Sequence, residues 1–169
     1  MPYAYPIYQT MGDRALLVEV GGRISSRINS RVRELFIALD RERVKGIRDI
    51  TPSYRSILVV YNPLEIPLPT LENRITAIYK KADGSRMPAP KTVQIPVVYG
   101  GEYGPDLKWV AEFHQITFEE VIRLHSGTVY QVYMIGFTPG YPYLGELPEA
   151  IATPRRDTPR TSVPKGSVA

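Results

Sequence analysis

Residues 15–61 read ALLVEVGGRISSRINSRVRELFIALDRERVKGIRDITPSYRSILVVY, and the change of period inside this stretch decides the fold class. Ala15-Leu16-Leu17-Val18-Glu19-Val20 is a short apolar run halted by Gly21-Gly22, the pattern of a strand ended by a turn. From there the apolar residues space out. Ile24, Ile28, Val32, Leu35, Phe36 and Leu39 fall on one stripe of a 3.6-residue helix, with Ser25 or Ser26 placed to cap it. Ile47 to Ile50 and Ser56 to Tyr61 then read as paired strands split by Thr51-Pro52-Ser53. Beyond them a second helix is predicted to open on Thr70 as N-cap, to turn Leu71, Ile75, Ile78 and Tyr79 inward, and to end at Asp83-Gly84.

Paired strands between two helices predict an α+β chain whose first domain, residues 1–86, is a ferredoxin-like α/β sandwich. Ser85-Arg86-Met87-Pro88-Ala89-Pro90 reads as a linker, and residues 87–169 as a second domain. Within it Val93, Ile95 and Val97 alternate as a strand, with Pro96 marking an edge or an end. Pro105 stands where a helix carrying Leu107, Val110, Ala111 and Phe113 would begin. Thr117-Phe118-Glu119-Glu120 is a capping box opening another helix that stops at Ser126-Gly127. Thr128 to Ile135 reads as a strand feeding a Gly/Pro-rich segment, Gly136 to Val163, in which no regular period is visible. Gly and Pro at such density fix turns, and loops held this rigidly present side chains. Ser162 to Ala169 reads as a turn and the start of a strand, so the chain is expected to stop inside its own fold.

Composition narrows the function. With 43% hydrophobic and 22% charged residues the chain is of ordinary globular make-up. No apolar run approaches the roughly 18 residues of a membrane span. The first ten residues, MPYAYPIYQT, have neither a basic nor an apolar leader region, and a cytoplasmic protein is expected. The absence of cysteine removes disulfides and thiolate metal sites. A net charge of +4 is small, and much of it lies beside acids, as in Arg33-Glu34 and Arg48-Asp49. Only Arg155, Arg156, Arg160 and Lys165, opposed by Asp157, form a basic tail. Without a recognition motif this argues against nucleic acid and for a small anionic ligand.

The familiar complete active sites are missing. Lys165-Gly166-Ser167 lacks the order and upstream glycine of a phosphate loop, Gly100-Gly101-Glu102-Tyr103-Gly104 has the wrong spacing for a dinucleotide fingerprint, and no G-x-S-x-G elbow occurs. His114 and His125 share no metal-ligand spacing, and no metal site is expected. His125 continues the apolar face Phe118, Val121, Ile122, which suits a core histidine or, alternatively, a proton shuttle. His114 falls near a predicted helix C-terminus, where a cation is favoured. Thr153-Pro154-Arg155 and Thr158-Pro159-Arg160 repeat one unit in which proline fixes the backbone before each guanidinium. Such forks suit a carboxylate or a phosphate, or else pin the loop through Glu146, Glu149 or Asp157. Phe137, Tyr141 and Tyr143 are candidates to wall an apolar pocket, to plug a barrel or to face a partner.

Taken together, GFTPGYPYLGELP and TPRRDTPRTSVPKGSVA, with MGDRALLVEVG, YRSILVVYNP, IPVVYGGEYGPDLKWVAE and EEVIRLHS upstream, resemble the blocks of the allophanate hydrolase subunit 1 family. That family includes the B subunit of bacterial ATP-dependent 5-oxoprolinase and the Kip inhibitor of a sporulation histidine kinase. The resemblance implies a cyclophilin-like β-barrel for residues 87–169, lacking its C-terminal strands because family members continue past Gly166-Ser167-Val168-Ala169. It implies a subunit of an ATP-dependent amidohydrolase that opens 5-oxoproline to glutamate. ATP would then be the cofactor, at a site shared with a sister subunit of the allophanate hydrolase subunit 2 type (the C component of 5-oxoprolinase), beside a third subunit. The alternatives it implies are a Kip-type inhibitor that binds a sensor histidine kinase and a carboxyltransferase-like domain of urea or allophanate metabolism. On this reading Arg155, Arg156 and Arg160 hold the anionic substrate, and Tyr141 with the turn Pro139-Gly140 shapes the wall.

Overall fold

Leu16, Val18 and Val20 alternate along β2 (Ala15–Gly21) and are all fully buried, so one face of this strand is committed to a core. A computed structural model describes residues 1–82, 87–158 and 160–168. In it β4 (Ser56–Tyr61) runs antiparallel beside β2, with Leu16 opposite Val59 and Val18 opposite Ile57. This register puts both strands' apolar sets on the same face. β1 (Pro2–Thr10) and β3 (Ile47–Pro52) complete a four-stranded sheet in the order β1-β2-β4-β3.

α1 (Ser26–Glu42) and α2 (Leu68–Lys81) close that face. Val32, Leu35 and Leu39 of α1 and Leu71, Ile75, Ile78 and Tyr79 of α2 join the sheet residues in one buried cluster. Burying each such side chain contributes about 1.5–3 kcal/mol, which is why the helices lie where their stripes point. Ser25 is the cap of α1, its hydroxyl accepting from the Ile28 amide at 3.3 Å. Ile24 precedes that cap and stays exposed, so it drops out of the predicted stripe. α2 begins at Leu68 rather than after a Thr70 cap, with Pro69 in its first turn. Proline is at ease there because the N–H it lacks would have no partner in the helix. The predicted stop at Asp83-Gly84, the linker's Ser85-Arg86 and residue 86 as a domain end lie outside the described residues.

β1 was not legible as a strand, since Pro2 and Pro6 remove two backbone donors from its ladder. Tyr8 and the α2 residue Tyr79 hold it in place. The Tyr8 hydroxyl lies 3.0 Å from the Glu72 carbonyl and 2.8 Å from Thr76 Oγ1, and the Tyr79 hydroxyl donates to the Tyr3 carbonyl at 2.7 Å.

The chain divides into two units, Met1–Val93 with Tyr130–Glu146 and Gln94–Val129 with Leu147–Ala169. A hairpin of β5 (Gln131–Gly136) and β6 (Tyr141–Gly145) thus belongs with the first sheet's unit. The predicted strand over Thr128 to Ile135 begins later, and β6 occupies part of the segment in which no period was visible. Its Pro142 and flanking glycines hide an alternation that cross-strand pairing supplies instead.

In the second unit α3 (Leu107–His114) and α4 (Phe118–Ser126) meet the short 3-10 turn Glu149–Ile151 around buried Ala111, Val121 and Ile151. Thr117 caps α4 as predicted, accepting from the Glu120 amide at 3.2 Å, while the Glu120 carboxylate is engaged by Arg123 at 2.6 and 2.8 Å. Pro105 lies one residue outside the start of α3, and the residue next to the helix is Asp106. Phe113, expected on the inner face of α3, is half exposed. The alternating Val93, Ile95 and Val97 form no strand: these residues are exposed and have no ladder partner among the described residues. Alternation chooses a face only once another strand satisfies the backbone groups.

Candidate functional site

Among the described residues, chemistry-bearing side chains cluster in both units. In the second unit Arg156 and Arg160 converge on Asp106. Arg156 Nη1 reaches Asp106 Oδ1 at 2.5 Å, Arg160 Nη2 reaches the same oxygen at 2.7 Å, and Arg160 Nη1 donates to Oδ2. Arg160 therefore grips the carboxylate with both arms of its fork, and Arg156 shares one oxygen. The Arg156 guanidinium also lies over the Trp109 ring, 5.6 Å from its centre. The Arg160 hydrogen bonds, helped by Arg156 and opposed by burial, hold the Asp106 carboxyl below the usual carboxylate range. Solvent reaches all three charged groups, with side-chain exposures of 47% for Arg156, 42% for Arg160 and 35% for Asp106.

The guanidiniums do pin a loop here, but through Asp106, not through Glu146, Glu149 or Asp157. Spacing could not show this, because Asp106 stands 50 and 54 residues before its partners. Arg155 is exposed beside them. Pro159, between the repeated units' threonine and arginine, lies outside the described residues.

His125 faces inward on α4 and meets a partner that sequence reading missed. The Tyr99 hydroxyl lies 2.5 Å from His125 Nδ1, with the rings edge to face at 5.7 Å. Burial pushes the imidazole below its ordinary pKa and the phenol above its own, so both favour their neutral forms. Which atom donates in this contact is set by the imidazole tautomer. His114, ending α3, pairs through Nε2 with Thr153 Oγ1 at 3.2 Å.

In the first unit the hairpin carries an aromatic chain. Tyr133, Tyr54, Tyr143, Tyr141 and Phe137 follow one another edge to face, at 5.9, 5.8, 5.2 and 5.9 Å between ring centres. Its inner end is locked. The buried Asn29 amide nitrogen lies within 3.4 Å of the Ser53, Tyr54 and Tyr133 carbonyls, and its oxygen accepts from Gln131 at 3.3 Å. Tyr133 donates to Glu146 at 3.0 Å, and the same carboxylate oxygen accepts the Ser26 amide at 3.2 Å, a first-turn donor of α1. Burial, reinforced by Glu146, pushes the Tyr133 phenol up to about 12.

The outer end is open. Phe137 is 87% exposed and adopts φ 57, a left-handed backbone that aromatic residues seldom take. Gly140 at φ 83 closes the same turn, where a left-handed backbone suits glycine. Tyr141, Pro139 and Gly140 thus belong to the hairpin of the first unit, and Arg155, Arg156, Arg160 and His125 to the second.

Among the described residues no helix is long and apolar enough to cross a membrane. The family model for the carboxyltransferase domain, subdomain C and D, matches residues 6–169. The B subunit of 5-oxoprolinase from Bacillus subtilis (strain 168) is 35% identical over 99% of this chain and 74% of its own length. The protein of the same name from Escherichia coli O157:H7 is 40% identical over 75% of this chain and 55% of its own. The crystal structure of TTHA0988 superposes with a TM-score of 0.74 at 34% identity, covering 89% of this chain and 29% of that one. The K. lactis urea amidolyase shares the fold, with a TM-score of 0.55 at 16% identity over 78% of this chain and 9% of that one.

Proposed function

The chain belongs to the carboxyltransferase-domain family, subdomains C and D, and from that membership we propose that it is the B-type subunit of a 5-oxoprolinase. The observation that carries this reading is the identity of 35% to a protein named as the B subunit of 5-oxoprolinase, spread over 99% of the chain. The reaction is the ATP-driven opening of the 5-oxoproline lactam to glutamate, performed with a C-type sister chain and a third subunit in the cytoplasm. 5-Oxoproline carries one carboxylate. Arg156 and Arg160 already bind a carboxylate in the Asp106 cluster, and Arg155 adds an exposed guanidinium beside them. The same donor set suits phosphate, so these arginines are also the residues that would meet ATP, which supplies the activating phosphoryl group when bound. His125, held by Tyr99, serves as the proton carrier. The aromatic turn at Pro139, Gly140 and Tyr141 meets a partner chain. In fold terms the β1-β2-β4-β3 sheet under α1 and α2 is a ferredoxin-like sandwich, with β1 in the place of its last strand. Residues 87–169 are part of a cyclophilin-like barrel.

One observation favours a second reading. The exposed Phe137 at a strained turn is the kind of apolar protrusion by which a Kip-type inhibitor would dock on a sensor histidine kinase. Reconstitution separates the two. Mixed with its sister and third subunits, the chain is expected to support glutamate formation from 5-oxoproline only with ATP, and Arg160→Ala to lower that turnover at least tenfold. An assembled complex without turnover, or one whose turnover is unchanged when this chain is left out, overturns the enzyme reading.

A further inference from the structure

Asp106 stands immediately before α3, where an aspartate ordinarily caps the helix by accepting a first-turn amide. Its side chain makes no such bond. The carboxylate instead occupies Arg156 and Arg160, filling the fork of Arg160 as a ligand's carboxylate would. Two features make this occupation reversible. Ion pairs this open to solvent are individually weak, so a second carboxylate can compete for the same guanidiniums. The released Asp106 also has somewhere to go, since first-turn amides of a helix lack partners inside it; reaching them takes its backbone from the helical φ -96, ψ -7 it has here to the extended conformation of a cap.

We infer that Asp106 is a two-position carboxylate: it holds Arg156 and Arg160 apart from ligand, and yields them to an incoming carboxylate by turning back to cap α3. This rests on the arginines being the anion site, as proposed above. Asp106 is then a built-in competitor that sets the affinity of that site and keeps its two guanidiniums aligned while it is empty.

Calorimetric titration of the full chain with 5-oxoproline tests this in Asp106→Asn, Asp106→Ala and Arg160→Gln. Removing the competing charge is expected to tighten binding roughly three- to tenfold in both Asp106 variants. Arg160→Gln is expected to weaken it by tenfold or more. Amide resonances of Lys108 and Trp109 should shift on ligand addition in the unaltered chain and much less in Asp106→Ala. Weaker or unchanged binding in both Asp106 variants, with Arg160→Gln still impaired, overturns the competitor and leaves the anion site standing. No effect of Arg160→Gln removes the anion site itself.

Discussion

In the first unit Leu16, Val18, Leu35, Ile57, Leu71 and Ile75 lose all contact with water, drawn from two strands and two helices onto one plane. The second unit buries Ala111, Val121 and Ile151, and its widest reach across sequence is made by ion pairs of Asp106 with Arg156 and Arg160. Apolar burial is cheap to arrange and strong, and it leaves no group poised for a ligand. Exposed charge stabilises little, yet it leaves guanidiniums accessible. The contrast separates a part of the chain held by a large apolar core from a part that carries exposed, paired charge.

Core truncation should break the comparison most visibly. Leu35→Ala is expected to cost about 2–5 kcal/mol, whereas Val121→Ala in the smaller cluster should cost about half as much. Denaturant unfolding of the two variants measures the ratio, and equal losses would erase the distinction between the units.

Asn29→Ala comes next, because it strips a partner from buried carbonyls without opening a large cavity. About 1–3 kcal/mol of stability should disappear, with faster hydrogen exchange in β5 and little change in β2. Uniform exchange across both strands would mean the hairpin is held by something else.

Tyr133 sharpens the contrast through pH. Its phenol has an ordinary value of 10.0 and is pushed up to about 12 in the fold, so the folded chain holds this proton more tightly. The stabilisation is complete below pH 10 and is lost as pH rises through about 12. Tyr133→Phe should flatten that alkaline slope while costing about 1 kcal/mol at neutral pH. An unaltered slope in the variant would assign it to other groups.

The smallest effect belongs to the second unit's best local signal. Thr117→Ala removes the hydroxyl that accepts from Glu120 and should cost about 1 kcal/mol, readable as a lower melting temperature. No change would show that α4 is set by packing alone.

What could be read from sequence follows a different divide, between local and long-range signals. The stripe of α1, the strands β2 and β4 and the Thr117 cap follow from local periodicity, and they were legible. β1 and β6 were hidden because proline breaks their pattern while partner strands restore it. Val93 to Val97 had the pattern and formed no strand. For the candidate site, residue types pointed to the arginines and to His125. Their partners, Asp106 and Tyr99, are set by tertiary folding across 50 and 26 residues, and no spacing rule reaches that far.

Asn29 also imposes an order of events in time. Its contact with the Tyr133 carbonyl spans 104 residues, whereas those with Ser53 and Tyr54 span 24 and 25. Closing the longer loop is the more demanding step and follows once shorter-range structure exists to receive it. During synthesis, then, the sheet and α1 can assemble around Asn29 while the hairpin is still unmade. The hairpin's arrival acts as a latch, fastening itself to a helix made 104 residues earlier.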